Sequence, residues 1–342
     1  MDVKAVLKEL CNAAGVNGEA DATQVAKKWL SEYTDDIRVD ALGNVCGFIS
    51  AAIQPAPTVM LEAHIDEIGF VVTRIDDGGF VHVSACGGID NRTLTATEVV
   101  IMSEPPLNGV FCSTPPHLKK GEESLPELSE RGIDVGMTKE EAVSRISVGT
   151  RVVFRPRFDT LLGNRVCSKA LDNRAGVAAI LGALEIVKGN PLPVNLVVAF
   201  CVQEEVGCRG SMTTAFEVQP NAALIVDVSF ATTPYSHHSG LGKLGNGPLI
   251  GYSPFLNKQL GRNLVSLADK YKIAVQHEVM GSRTGTDADT IGVSGRGVPC
   301  ALLSIPLRYM HSPVEVVDTT DVEAVSQLMA AFITEEEALN NV

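Results

Sequence analysis

Strand-length apolar runs alternate with helical stretches through the second half of this chain, and few folds accept that rhythm. VNLVVAFCV, AALIVDVSF, IAVQHEV and CALLSI are the strand-like runs. NRAGVAAILGALEIVKG, an amphipathic helix by its spacing, GCRGSMTTAF, LNKQLGRNLVSLADKYK and TTDVEAVSQLMAAFITEEEA are the helical ones. Strands separated by helices imply an α/β fold with a largely parallel sheet and helices on both faces. The N-terminal part fits the same body. Val3, Val6, Leu7, Leu10, Val25, Trp29 and Leu30 have helical spacing over roughly residues 3–34. A predicted hairpin follows around Gly43-Asn44, and the strand PTVMLEAHID delivers His64 and Asp66 to its end.

Between residues 69 and 160 the rhythm breaks. GFVVTRIDDGGFVHVSA reads as a hairpin around Asp77-Gly78-Gly79, and TATEVVIMS and LNGVFCST are short and β-rich. Helix is confined to TKEEAVSRI, where Thr138 and Glu141 form a capping-box pattern. A small β-barrel or sandwich, inserted into the larger domain, is expected. The chain therefore divides into residues 1–68 plus 161–342 and an insert of residues 69–160.

The chain's 342 residues are 45% hydrophobic with a net charge of −13, enough apolar material for a large core and no basic footprint for nucleic acid or an anionic membrane. MDVKAVLKELCNAAGV is too charged for a secretory leader, and no apolar run reaches the length of a membrane span. Eight cysteines without a CxxC pair read as buried small hydrophobes in a reducing compartment, and a cytoplasmic location is expected.

Five potential metal ligands occupy separate motifs where apolar strands run out: His64, Asp172, Glu205, Asp227 and His311. Imidazoles and carboxylates suit zinc, cobalt or manganese, and the carboxyl ends of strands are where open α/β sheets build sites. Each motif alone has a plainer explanation. His64 could be a satisfied core histidine, Asp172 a helix cap, Glu204-Glu205 a solvated strand end, and His311 a surface histidine. Asp227 closes an apolar run and there requires a partner or a cation. Asp66, two residues after His64, can reach its ring and fix its tautomer. Glu204 supplies one carboxylate more than binding requires, and a spare acid beside an activated water is the minimal kit for hydrolysis. Together these placements read as a two-metal hydrolase.

The stretches EAHIDEIGF, GVFCSTPPHL, KALDNRAG, QEEVGCRG, IVDVSF, GTDAD and IPLRYMHSPVE give the chain a specific resemblance to the tetrahedral-particle aminopeptidases. That co-catalytic metallopeptidase family holds glutamyl, leucyl and deblocking aminopeptidases, some labelled endoglucanases. The resemblance implies a zinc-exopeptidase-like sheet sandwiched by helices, with two divalent metal ions per subunit. His64, Asp172 and Asp227 would hold one ion and Asp172, Glu205 and His311 the other. Glu204 would be the general acid/base and Asp66 the residue that orients His64. Peptides would be the substrates, the insert a dimerisation domain, and twelve subunits a hollow tetrahedral particle. GGIDNRTLTATEVVIMS lacks the Gly-Gln-Arg-like step expected there, and Asn246 stands in KLGNGPLI where a basic residue is common.

Rival readings are a related di-metal deacylase or carboxypeptidase, a metal-free glycosidase, and a non-catalytic assembly subunit stabilised by metal. Arg283, Arg308 and Tyr309 could line a pocket for acidic side chains or be ordinary surface groups. Asp287 could cap a helix or touch substrate.

Overall fold

A computed structural model describes residues 1–18, 20–118, 126–236 and 240–339. α1 (Val3–Asn12) and α2 (Ala20–Leu30) open the chain, two helices where spacing suggests one helical stretch. Asp2 caps the N-terminus of α1 by accepting from the Lys4 and Ala5 N–H groups. β1 (Ile37–Val39) and β2 (Val45–Ile49) form the expected hairpin, and β3 (Thr58–His64) follows.

The chain then enters a closed barrel. Its strands are β4 (Gly69–Ile75), β5 (Val81–Cys86), β6 (Glu98–Ile101), β7 (Leu107–Phe111), β8 (Gly132–Asp134) and β9 (Arg151–Phe154), in spatial order β4-β5-β8-β7-β6-β9. Closure removes the exposed edges a six-stranded antiparallel sheet would otherwise carry. Phe70 fills the interior by edge contacts to Phe111 at 5.1 Å and Phe154 at 5.5 Å between ring centroids. α3 (Lys139–Arg145) sits between β8 and β9 with both halves of its capping box made by Thr138 and Glu141.

β10 (Phe158–Thr160) and β11 (Arg165–Ser168) return to the body. The remaining elements are α4 (Leu171–Val187), β12 (Asn195–Cys201), α5 (Arg209–Val218), β13 (Ala222–Phe230), β14 (Leu249–Tyr252), α6 (Lys258–Tyr271), β15 (Gln276–Val279), α7 (Ala288–Ile291), β16 (Cys300–Leu307), β17 (Glu315–Asp318) and α8 (Thr319–Thr334). The main sheet runs β1-β2-β12-β3-β13-β16-β14-β15, mostly parallel, while β10, β11 and β17 form a small antiparallel sheet that periodicity does not foretell. This is the expected α/β architecture with a separate barrel. α1, α2, α4, α6 and α8 pack on one face through the larger apolar core, and α5 and α7 cover the other.

Two expectations need correction. α4 is not amphipathic: nearly every residue from Leu171 to Leu184 is buried, because the helix lies between the sheet and both α1 and α8. Buried cysteines are the rule but not for all eight: Cys112 is exposed and Cys167 and Cys208 are half-buried. Among the described residues no helix is long and apolar enough to cross a membrane.

What positions the site is the middle of the sheet. β3 is flanked by β12 and β13, parallel to both, and the register sets Cys201 opposite His64. Three carboxyl ends therefore open onto one crevice.

Candidate metal centre

Six of the seven side chains singled out by sequence line that crevice, and the seventh, Asp66, lies fully buried beside the His64 ring. His64, at the last residue of β3, points its Nε2 to Asp172 Oδ1 at 3.1 Å and lies 3.7 Å from Asp227 Oδ1. His311 places its Nε2 3.4 Å from Asp172 Oδ2 and 3.3 Å from Glu205 Oε2. Asp172 thus offers one oxygen to each histidine. Two sets of three donors result, His64-Asp172-Asp227 and Asp172-Glu205-His311, each with ligand atoms within 4.8 Å of one another. Glu204 stands beside them, its Oε2 4.0 Å from His64 Nε2 and its Oε1 accepting from the Cys208 thiol.

One placement differs from expectation. Asp227 does not close its strand: β13 continues to Phe230, and Asp227 reaches the crevice because β3 ends earlier beside it. Asp66 also does more than expected. Its Oδ1 is 3.5 Å from His64 Nδ1, long for a hydrogen bond. The same carboxylate accepts from the backbone N–H groups of Glu204 and Glu205, at 3.1 and 3.3 Å, so it fixes the turn that presents both acids.

Asp172 and Asn173 have non-helical backbone angles although they lie inside α4. Asn173 Oδ1 accepts from Gly176 N–H and caps the regular part of the helix, while its amide donates to Val226 O on β13. Asp172 is therefore no cap; its carboxylate is left free for the crevice. Ala170, Gln203, Cys208, Tyr309 and His311 all have positive φ, and these left-handed residues flank the three loops that carry ligands. Such conformations persist only where surrounding contacts enforce them, and they collect at functional sites. For His311 the enforcing group is Glu315: its Oε1 accepts from His311 N–H at 2.8 Å and its Oε2 from Asp172 N–H at 3.0 Å.

Sequence reasoning missed Glu315. The signal was available in HSPVE, an acid in an apolar strand four residues past a candidate ligand. It also missed Glu62, which is fully buried with no hydrogen-bond donor to either oxygen. Burial first, then the neighbouring Asp287, raises Glu62 well above the usual carboxyl range. Asp287 occupies the cap position of α7 without capping it; its Oδ1 accepts from Ser211 Oγ at 2.5 Å instead.

The electrostatics favour cations. Burial raises Glu205 and Asp227 well above their ordinary values, Asp172 adding to the effect on both, and pushes Glu204 up to about 7. Burial alone would also raise Asp172, but its hydrogen bonds to His311 and His64 hold it far below. Burial would lower His64 and His311; hydrogen bonding to Asp172 outweighs it and raises both. No lysine or arginine lines this crevice among the described residues, so five acids, Asp172, Glu204, Glu205, Asp227 and Glu278, share it with two imidazoles. Buried carboxylates without a cationic side chain are the donor set a divalent ion neutralises, and the residues fit such ions.

The crevice encloses about 520 Å³. Arg283, Arg308 and Tyr309 do not line it, nor does Asn246, and Arg308 Nε instead donates to Thr232 O at 2.7 Å.

A sequence model of the M42 glutamyl aminopeptidase family matches residues 43–328. The lysyl aminopeptidase of Pyrococcus furiosus is 31% identical over 344 residues, spanning 96% of each chain. Among solved structures, aminopeptidase APDkam598 of the archaeon Desulfurococcus kamchatkensis superposes with a TM-score of 0.92 at 35% identity, over 99% of this chain and 97% of that one. The TET1 peptidase of Pyrococcus horikoshii, which can assemble into a tetrahedron or a large octahedral shell, gives 0.86 at 31% identity, over 98% and 100% of the two chains.

Proposed function

Because the chain belongs to the M42 glutamyl aminopeptidase family, a family of peptide hydrolases, we propose that its crevice removes N-terminal residues from peptides with two divalent metal ions. One set of ligands is His64, Asp172 and Asp227; the other is Asp172, Glu205 and His311. The observation that carries this reading is the division of Asp172 between the two histidines. Zinc, cobalt and manganese all suit the donor set.

When bound, such a pair lowers the pKa of a water and polarises a carbonyl oxygen. This chain's residues do the rest. Glu204 is the general acid/base: its carboxylate, not needed as a ligand, accepts a proton from the attacking water and returns it to the leaving amine. Asp66 keeps Glu204 and Glu205 pointing into the crevice through their backbone N–H groups. Glu315 fixes the loops of Asp172 and His311 relative to each other. A free α-amine fits among the acids of the crevice, which accounts for cleavage at the N-terminus. A carboxypeptidase would need a cationic side chain for the substrate's carboxylate, and among the described residues the lining supplies no lysine or arginine.

Residues 69–160 are taken as an inserted domain whose barrel mediates dimerisation, and dimers as the unit of a twelve-subunit particle. The assembly reading rests on likeness to the Pyrococcus horikoshii peptidase. Cytoplasmic residence is part of the same reading.

The test is Glu204→Gln. Its metal content, by plasma emission spectrometry, should stay near two ions per chain while kcat on aminoacyl anilides falls about 100-fold or more. Wild-type turnover in that variant removes Glu204 from the mechanism; loss of metal in step with activity reassigns it as a ligand.

A further inference from the structure

One acid in the crevice has no part in the reaction as described. Glu278, on β15, lines it, and no lysine or arginine among the described residues pairs with it. Ser229 Oγ donates to Glu278 Oε1 at 2.5 Å. Ser229 lies on β13 two residues past Asp227, so both side chains face the same way, about 7 Å apart along the strand. The Glu278 carboxylate is thereby held on the wall of the crevice beside β13, two residues beyond Asp227 along that strand. Met280, Leu302 and Met310 line the same crevice and present apolar surface to a long stem. Given two divalent ions, the charges of Asp172, Glu204, Glu205 and Asp227 are balanced and that of Glu278 is not.

We infer that Glu278 selects substrates whose first residue is basic, lysine or arginine, by pairing with the cationic end of that side chain. This rests on the aminopeptidase reading of the crevice. Its sign is opposite to that of a pocket built from Arg283 and Arg308. The apolar walls accept the methylene stem, and the ammonium or guanidinium reaches the one acid left without a partner of opposite charge. A glutamyl side chain would set two carboxylates against each other and is disfavoured. Glu278 touches only the substrate's side chain, so its loss should act on discrimination rather than on chemistry.

The experiment compares kcat/KM for L-lysyl, L-arginyl, L-leucyl and L-glutamyl p-nitroanilides in metal-replete wild type, Glu278→Gln and Ser229→Ala. Wild type should favour the basic substrates. Glu278→Gln should lower kcat/KM for lysyl about tenfold, mainly through KM, and leave leucyl within about twofold. Ser229→Ala should give a smaller loss in the same direction. A wild type that cleaves glutamyl as well as lysyl overturns the inference, as does a Glu278→Gln loss that is equal for lysyl and leucyl. Calorimetric titration with L-lysinamide and L-norleucinamide, which differ chiefly in the ammonium, separates this claim from the reaction it rests on. If no anilide is cleaved, the aminopeptidase reading fails, and tighter binding of lysinamide that Glu278→Gln abolishes still supports the pocket. Equal binding of the two amides overturns it.

Discussion

At the scale of single residues, the centre is a set of groups whose loss of protons opposes the fold in a predictable direction. Glu204, Glu205 and Asp227 are raised by burial, Glu204 to about 7, and His64 and His311 are raised mainly by their bonds to Asp172. A raised folded-state value gives stability that is present below the unfolded value and lost as pH climbs through the folded one. For Glu204 that loss runs from the ordinary 4.5 to about 7, and for the histidines it begins near 6.5. Asp172 has the opposite sign, its contribution lost only as pH falls below 3.8, outside this range. The metal-stripped protein should therefore lose Tm as pH rises from about 5 to 8. Added divalent ions should restore it most at the upper end, because they replace the departing protons. Differential scanning calorimetry of chelated and reloaded samples checks this, and a stripped Tm that rises with pH refutes it. The seven candidate side chains were legible in sequence because six stand at or just past a strand end or helix start, where an acid or imidazole is conspicuous, and Asp227 is an acid inside an apolar strand. Glu315 and Glu62 were not, since acids inside apolar strands show their purpose only through partners distant in sequence. Glu278 sits in a polar run, QHEV, that could as well be a solvated strand.

Among the elements, the junction of β12 and α5 matters most. Asn44 Oδ1 accepts from Val202 N–H at 2.8 Å and its amide donates to Gly210 O at 3.1 Å, tying the hairpin loop to both ends of the Glu204-Glu205 turn. A Cβ on Gly210 would overlap Asn44 Oδ1 and Val202 O. Gly210→Ala should cost about 2 kcal/mol, read from the urea midpoint at unchanged m, and should weaken metal retention because the turn is displaced. Unaltered stability would mean that α5 can move away from the sheet freely. The strand-helix alternation, the barrel's hairpins and the capping box of α3 were legible because local pattern decides them. The three-stranded sheet of β10, β11 and β17 was not, since its pairing partners are far apart in the chain. The burial of α4 escaped notice because its few polar residues mimic an exposed face while bonding inward.

For the molecule as a whole, one buried ion pair fastens the barrel's root to the body. Lys169 Nζ donates to Glu67 Oε1 and Oε2 at 2.8 and 2.7 Å, Gly15 N–H donates to Glu67 Oε1, and the lysine also donates to Ala13 O. Both side chains are almost fully enclosed, so removing either partner strands a charge. Lys169→Met and Glu67→Gln should each lower unfolding free energy by about 3 kcal/mol or more, and the double variant should lose less than the sum. Additive losses would show that the pair does not act as a unit. The place of β3, between β12 and β13, bears on the polypeptide's birth. Its two neighbours leave the ribosome on the order of a hundred residues later, a delay of roughly 5 to 30 seconds at about 5–20 residues per second. Through that interval the nascent strand is an apolar ribbon with both edges bare, while the barrel behind it has every strand it needs to close. Newly made chains are thus open to chaperone capture at one stretch, and the proposed metal centre is complete only as synthesis ends.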